Sequence, residues 1–315
     1  MSFIVRYPKN SSHWEMGLLF GRENLELSEK LGIEPFKEAS DDALYLASRI
    51  EKVLLKFYPE ILEEIRGIAH SSGYPYEVVL SNIVFCGSMQ HYRCLAFLFR
   101  GSESYLALNY ELDEKYKVFR FTHVRHPRGA NASIGNGDCY IGLSDGINEK
   151  GLAITGTSIS RSIVGIGISP QLLIRMILEK CSSAEEALRL MKEMTHLLRW
   201  NYLLCDGRRA FRVEIRGARD VAIREIKDDS YVVGNHTGEI EEAPERVRRV
   251  YEYLRGLKSF NIDVIKDILR NHEYNVCNHS SFPTIWSSIY CPDSCRAWVA
   301  PGRPCENEYV DISWQ

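Results

Sequence analysis

The stretch Cys94-Leu95-Ala96-Phe97-Leu98-Phe99-Arg100-Gly101-Ser102, followed by Ala107-Leu108-Asn109-Tyr110-Glu111, decides how this chain is read. Two apolar runs of strand length flank a turn at Arg100-Gly101-Ser102, which predicts a β-hairpin. A thiol heads the first run, and an Asn-x-Glu corner closes the second. If the chain is cut before Cys94, the cysteine becomes an N-terminal residue whose α-amine is its own base. That amine titrates at about 7.7–8.0, near ambient pH, where a thiol is still mostly protonated. The same thiol can attack the Arg93 carbonyl and give a sulfur ester that water hydrolyses, so the residue accounts for its own release. A cysteine in an apolar strand is otherwise a small inert hydrophobe, and only the surrounding motifs favour the reactive reading.

Working outward, residues before Cys94 read as largely helical. Ser40 caps a helix with Asp41 and Asp42 in its first turn and Leu46, Ile50, Val53, Leu54 and Phe57 on one face. Pro59 opens a second helix that ends at Ser71-Ser72-Gly73. Beyond Cys94, strands are expected near 94–99, 104–111, 117–124, 138–143, 151–159, 200–206, 210–216, 220–226, 230–236, 284–290 and 295–299. Helices are expected near 169–180, 183–195, from Pro244, and near 262–271. Strand runs alternating with helical pairs imply an α+β fold, with two antiparallel sheets and helices outside. Residues 1–93 read as a helical segment and 94–315 as the strand-rich core that follows it, with 93/94 expected as a processing boundary inside one domain.

Composition narrows the function. The chain has 315 residues and a formal net charge of −3, which argues against a nucleic-acid binder. It contains no run of 18 apolar residues, so no membrane partner is expected. Nine cysteines without a signal-peptide pattern or a small-domain spacing read as reduced thiols in a cytoplasmic protein.

Two further motifs add to the hairpin. Ser144-Asp145-Gly146-Ile147-Asn148-Glu149-Lys150-Gly151-Leu152-Ala153-Ile154 reads as a polar turn entering a strand. Tyr231-Val232-Val233-Gly234-Asn235-His236-Thr237 reads as a strand ending in polar side chains, where the Asn235 amide can stabilise an oxyanion. The bland alternative makes Asn235 a turn residue bonded to its own backbone.

With these motifs in order, the chain resembles the penicillin acyltransferase-like branch of the N-terminal nucleophile hydrolases, related to choloylglycine hydrolase and acid ceramidase. His13-Trp14-Glu15-Met16-Gly17, Tyr58-Pro59-Glu60 and Glu64 to Ala69 resemble that family's pro-region. The Cys94 strand, Asn109-Tyr110-Glu111, Asn148 to Leu152, Asn235-His236 and Ser288 to Pro304 follow the family's order. The resemblance implies a four-layer αββα sandwich and an autoprocessing amidohydrolase or acyltransferase acting on a linear non-peptide amide. It implies Cys94 as nucleophile, with Arg93 and Cys94 as the processing site. Asn235 is implied as oxyanion donor, and Glu111 stands where relatives hold the α-amine with an aspartate. Asn109 belongs to the same corner, while Ser158 and His236 are candidates for substrate binding.

The implied partner is a small-molecule amide or acyl donor, with no nucleic acid, no membrane and no cofactor; assembly into a homo-oligomer stays open. Leu108 stands where relatives often have arginine, Arg93 where a small residue is commoner, and Leu95 where a hydroxyl is usual. These departures motivate the alternative of an unprocessed, non-catalytic binding or scaffold member.

Other constellations weigh less. Cys277, His279, Cys291 and Cys295 come nearest to zinc-ligand spacing, but Ser294 to Trp298 reads as a strand entry, and no metal is expected. Cys86-Gly87-Ser88 lacks the strand pair that follows Cys94. His123 and His126 read as surface residues, and Arg246, Arg248 and Arg249 as the solvated face of a helix.

Overall fold

The computed structural model describes residues 3–86, 93–113 and 121–315. The expected strand residues 117–120, and Gly87 and Ser88 of the Cys86 motif, lie outside them. The chain opens with β1 (Phe3–Arg6), α1 (His13–Leu31), α2 (Asp41–Phe57), α3 (Pro59–Ser72) and α4 (Tyr76–Phe85). Next come β2 (Leu95–Arg100), β3 (Ser104–Glu111), β4 (Phe121–Arg125), β5 (Ser133–Gly137), β6 (Asp145–Asn148) and β7 (Ala153–Ile163). The helices α5 (Pro170–Lys180) and α6 (Ala184–Glu193) lead to β8 (Leu198–Cys205), β9 (Ala210–Ile215), β10 (Val221–Glu225) and β11 (Ser230–Val233). Finally α7 (Glu245–Arg255) and α8 (Ile262–Arg270) precede β12 (Thr284–Cys291), β13 (Arg296–Ala300) and β14 (Val310–Asp311).

The strands form two sheets. An eight-stranded sheet runs β1-β4-β5-β6-β7-β8-β9-β10, and a six-stranded sheet runs β11-β2-β3-β12-β13-β14. Strands β2 and β3 of the smaller sheet lie against β7 and β8 of the larger, while α5 covers β5–β7 and α7 packs on β11. The result is the αββα sandwich. Strand alternation divides its core accordingly. Cys94, Ala96, Leu98, Leu108 and Tyr110 belong to the main core, which includes the space between the sheets. Leu95, Phe97, Phe99 and Ala107 belong to a second core with α7 and α8.

The described residues before Cys94 are built into this sandwich rather than laid over it. β1 pairs in parallel with β4 and forms an edge of the larger sheet. Helices α1 and α3 approach backbone to backbone: a Cβ on Gly17 would lie 2.1 Å from the Glu64 carbonyl oxygen, and one on Gly67 would lie 2.5 Å from that of Trp14. From α5, the fully buried Arg175 donates to both carboxylate oxygens of Glu64 on α3 and through Nε to Glu179 at 2.9 Å. Tyr58 donates its hydroxyl proton to Glu179, and His13 Nε2 lies 2.9 Å from the same carboxylate. Burial pushes the Glu179 carboxyl up, but Arg175, His13 and Tyr58 together hold it well below the usual range.

Two sequence expectations fail here for one reason. The stretch 138–143 is a loop, and its place is taken by β5, while Asp145–Asn148, read as a turn, is strand β6. In β5 a Cβ on Gly135 would lie 2.6 Å from the Asp145 carbonyl oxygen, and one on Gly137 would lie 2.2 Å from that of Gly142. Close packing selects glycine in this strand, and Asp145 is tolerated because Asn136, Trp286, Ser288 and Tyr290 all donate to it. His123 is also corrected: it is fully buried, with Nδ1 3.1 Å from the Tyr7 hydroxyl. Among the described residues no helix is long and apolar enough to cross a membrane, and all nine cysteines are free thiols.

Candidate active site

The β2–β3 hairpin forms as the sequence predicts, with Leu95 opposite Asn109 and Ala96 opposite Leu108. Cys94 sits immediately before β2 and is 1% exposed. The Glu111 main-chain N–H donates to its sulfur at 3.4 Å, and the sulfur lies 3.8 Å from the Glu111 carbonyl oxygen. Burial pushes the Cys94 thiol well above its usual range. The Glu111 N–H and the Arg246 guanidinium oppose this, while the carboxylates of Glu111 and Asp138 reinforce it. In the continuous chain this thiol is therefore held protonated.

The peptide preceding the thiol is gripped from α7. Arg246 donates through Nη1 to the Arg93 carbonyl oxygen at 3.0 Å. Its two terminal nitrogens also form a bidentate pair with the Glu111 carboxylate, Nη1 lying 2.7 Å from Oε2 and Nη2 bonding Oε1. Asn278 Nδ2 donates to the same Oε2 at 2.8 Å. Glu111 is fully buried, and burial pushes its carboxyl up to about 7 against the pull of Arg246 and Asn278. Arg246 is thus not a solvated side chain: only 21% exposed, it turns inward on the helix that buries Val247 and Val250, whereas Arg248 and Arg249 are exposed. It brings a guanidinium to the site from a helix, while strand position Leu108 carries none.

Asn235 approaches from the other edge. The last β2–β11 pair is Val233 with Ala96, and a Cβ on Gly234 would lie 3.6 Å from the Cys94 carbonyl oxygen, so Asn235 follows at the level of Cys94. Its Nδ2 donates to the main-chain carbonyl of Ser158 at 2.6 Å. A carboxamide nitrogen carries two hydrogens, so this bond orients the group and leaves a second donor. Ser158, on β7, thus enters the site through its carbonyl oxygen. His236 is 7% exposed, and neither ring nitrogen finds a partner among the described residues. Burial, aided by Arg212, lowers its pKa to about 4, so the ring is neutral near pH 7.

The turn carrying these residues is clamped from the larger sheet. Asn201 donates to the carbonyl oxygens of Gly234 at 3.1 Å and His236 at 2.7 Å, Thr157 donates to Gly234, and Arg212 donates to Gly238.

Asn109 is not brought to the thiol. Its Nδ2 donates to the carbonyls of Leu269 and Val276 at 3.0 and 2.9 Å, and its Oδ1 accepts from Ser287. It ties α8 and the following loop to the smaller sheet.

Arg246, Asn278, Asn201 and Asp138 escape sequence reasoning. Asp138 accepts the Tyr110 hydroxyl at 2.9 Å, and its carboxyl is pushed by burial to about 6. Each of the four lies in a segment distant from Cys94. The one legible signal was the apolar spacing around Arg246, which shows the helix but not where its polar edge points.

Comparison with known proteins adds the family. The family model described as acyl-coenzyme A:6-aminopenicillanic acid acyl-transferase matches residues 99–306, a span that includes Asn109, Glu111, Ser158, Asn235, His236 and Arg246. No curated protein matches the chain. A structure of a conjugated bile acid hydrolase variant from Clostridium perfringens aligns at 14% identity with a TM-score of 0.50, over 70% of this chain and 92% of that one. Penicillin V acylase from Agrobacterium tumefaciens aligns at 15% identity with a TM-score of 0.45, over 66% of this chain and 83% of that one. The former likeness shows a shared fold.

Proposed function

The chain belongs to the acyl-coenzyme A:6-aminopenicillanic acid acyl-transferase family, and from that premise we propose that it cuts itself at Arg93–Cys94 and then works as an N-terminal cysteine amidohydrolase or acyltransferase. The observation that carries the reading is the Arg246 N–H on the Arg93 carbonyl oxygen, 3.0 Å away, at the peptide the thiol must attack.

In processing, Cys94 Sγ adds to the Arg93 carbonyl carbon, and Arg246 stabilises the oxyanion. The C–N bond breaks, the Cys94 nitrogen takes up the thiol proton, and a thioester joins Arg93 to the sulfur. Water hydrolyses it to a carboxylate on Arg93, a free thiol and a free α-amine. In turnover that amine takes the thiol proton, the sulfur attacks a linear amide carbonyl, and the Asn235 amide stabilises the oxyanion. The protonated amine then delivers its proton to the leaving nitrogen. Water or an acceptor amine resolves the acyl-thioester, as hydrolase or transferase respectively. Glu111 fixes Arg246 beside the new terminus, and the unpartnered His236 offers the substrate a hydrogen bond. The reduced thiols fit a cytoplasmic location and a small-molecule amide or acyl donor as partner.

A second reading, an unprocessed non-catalytic member, is favoured by the burial of Cys94 and by Leu108 beside it. One experiment separates the two. Purified wild-type protein is followed by denaturing gel and mass spectrometry, with N-terminal sequencing of the larger fragment. Fragments 1–93 and 94–315, the latter beginning Cys-Leu-Ala-Phe, together with a Cys94→Ala variant that stays whole, support the first reading. An intact, unreactive wild type supports the second. An intact chain that still turns over amides refutes the role given to the freed amine.

A further inference from the structure

Beside the Glu111 corner, two loops bring together side chains that the proposed reaction does not use. After α8, residues 271–277 fold into a tight turn: Val276 and Cys277 both donate their N–H to the Asn271 carbonyl, and Asn275 adopts φ 54°. In the C-terminal segment, Glu306 and Asn307 donate to the Arg303 carbonyl and close a turn around Cys305. Cys277 Sγ lies 3.4 Å from Cys305 Sγ, and His279 Nε2 lies 3.2 Å from Cys305 Sγ and 3.7 Å from Cys277 Sγ. With His272, whose ring centroid is 4.6 Å from that of His279, all four donor atoms fall within 4.8 Å of one another.

We propose that His272, Cys277, His279 and Cys305 bind one zinc ion as a closed structural site. Tetrahedral zinc, with bonds of about 2.3 Å to sulfur and 2.0–2.1 Å to nitrogen, sets its ligand sulfurs about 3.8 Å apart and sulfur and nitrogen about 3.6 Å apart. The three separations here lie within about half an ångström of those values. Two thiolates and two imidazoles form a donor set suited to zinc, and four protein ligands leave no open position for catalysis. The outer shell agrees: His279 turns Nε2 to the sulfurs and Nδ1 toward the Glu306 carboxylate, 4.0 Å away.

The ligand set differs from the one sequence spacing suggests. Cys295 is engaged with the carbonyls of Glu149 and Pro292, and Cys291 lies in β12 beside the α7–α8 core. The ion would tie the C-terminal turn to the 271–279 loop. It would thereby hold Asn278, next to Cys277, in place on Glu111.

The test uses the full chain, produced with zinc chloride in the medium and purified under reducing conditions without chelator. Elemental analysis is expected to find about one zinc per chain. Replacement by cobalt is expected to give thiolate charge-transfer absorption and the visible bands of a tetrahedral ion. Cys305→Ser is expected to lose the metal, and Glu306→Gln to bind it about tenfold more weakly. Should Cys305→Ser fold poorly, the cobalt spectrum of the wild type decides alone. Substoichiometric zinc with no thiolate–cobalt bands, a Cys277–Cys305 disulfide in the reduced preparation, or full zinc retention by a folded Cys305→Ser would each overturn the proposal.

Discussion

Arg246 does two things at one peptide: it donates to the Arg93 carbonyl and neutralises the buried Glu111. The two roles separate by mutation. Arg246→Met removes an oxyanion donor and is expected to slow self-cleavage about 10²–10³-fold. It also strands a buried carboxylate, at a cost of about 3–5 kcal/mol. Adding Glu111→Gln should restore stability without restoring cleavage, checked by urea melts and a gel time course. Asn235→Ala, assayed on already processed enzyme, is expected to lower kcat by about 10²–10³ with KM little changed. His236 supplies a pH signature. Its folded pKa of about 4 lies below its ordinary 6.5, so the unfolded chain binds more protons between these values. Its contribution to stability is complete above pH 6.5 and is lost as pH falls toward 4, by at most about 1.4 kcal/mol per pH unit. Comparing melts of wild type and His236→Gln across that window should show this slope only in the wild type.

At the scale of elements, the hairpin holding Cys94 and the amphipathic α2, α7 and α8 are legible because their periodicity reports which face is buried. Strands β5 and β6 are not, since glycine and aspartate there answer to neighbours brought by the fold: the Gly142 loop beside Gly137, and four donors, three of them from β12 of the smaller sheet, around Asp145. Asn109 shows the same limit. Its place at a strand end suits catalysis, yet its amide is consumed in joining β3 to α8 and the loop beyond. Asn109→Ala is therefore expected to cost about 1–3 kcal/mol by taking the donor from the Leu269 carbonyl and leaving that of Val276 only the longer bond from Arg246. A large loss of turnover at unchanged stability would return it to the catalytic groups.

For the whole molecule, the proposed cut does not divide two bodies. Residues 1–93 supply an edge strand of the larger sheet and the Glu64 carboxylate that Arg175 holds. After cleavage the two pieces should co-purify through a tag on either one and part only in denaturant. Arg175→Leu, which strands Glu64 in the interior and leaves Glu179 only Tyr58 and His13, should cost about 3–5 kcal/mol and loosen that association. The order of apolar runs and turns along the chain by itself determined the α+β class, the Cys94 hairpin and the Asn235 strand end, because local periodicity and turn chemistry are written in consecutive residues. Only the tertiary structure decided that Arg246 faces the Arg93 carbonyl, that Asn201 clamps the Asn235 turn, and that His272, Cys277, His279 and Cys305 converge. Each of those relations joins segments far apart in the chain, and their distance in space is set by how sheets and helices stack.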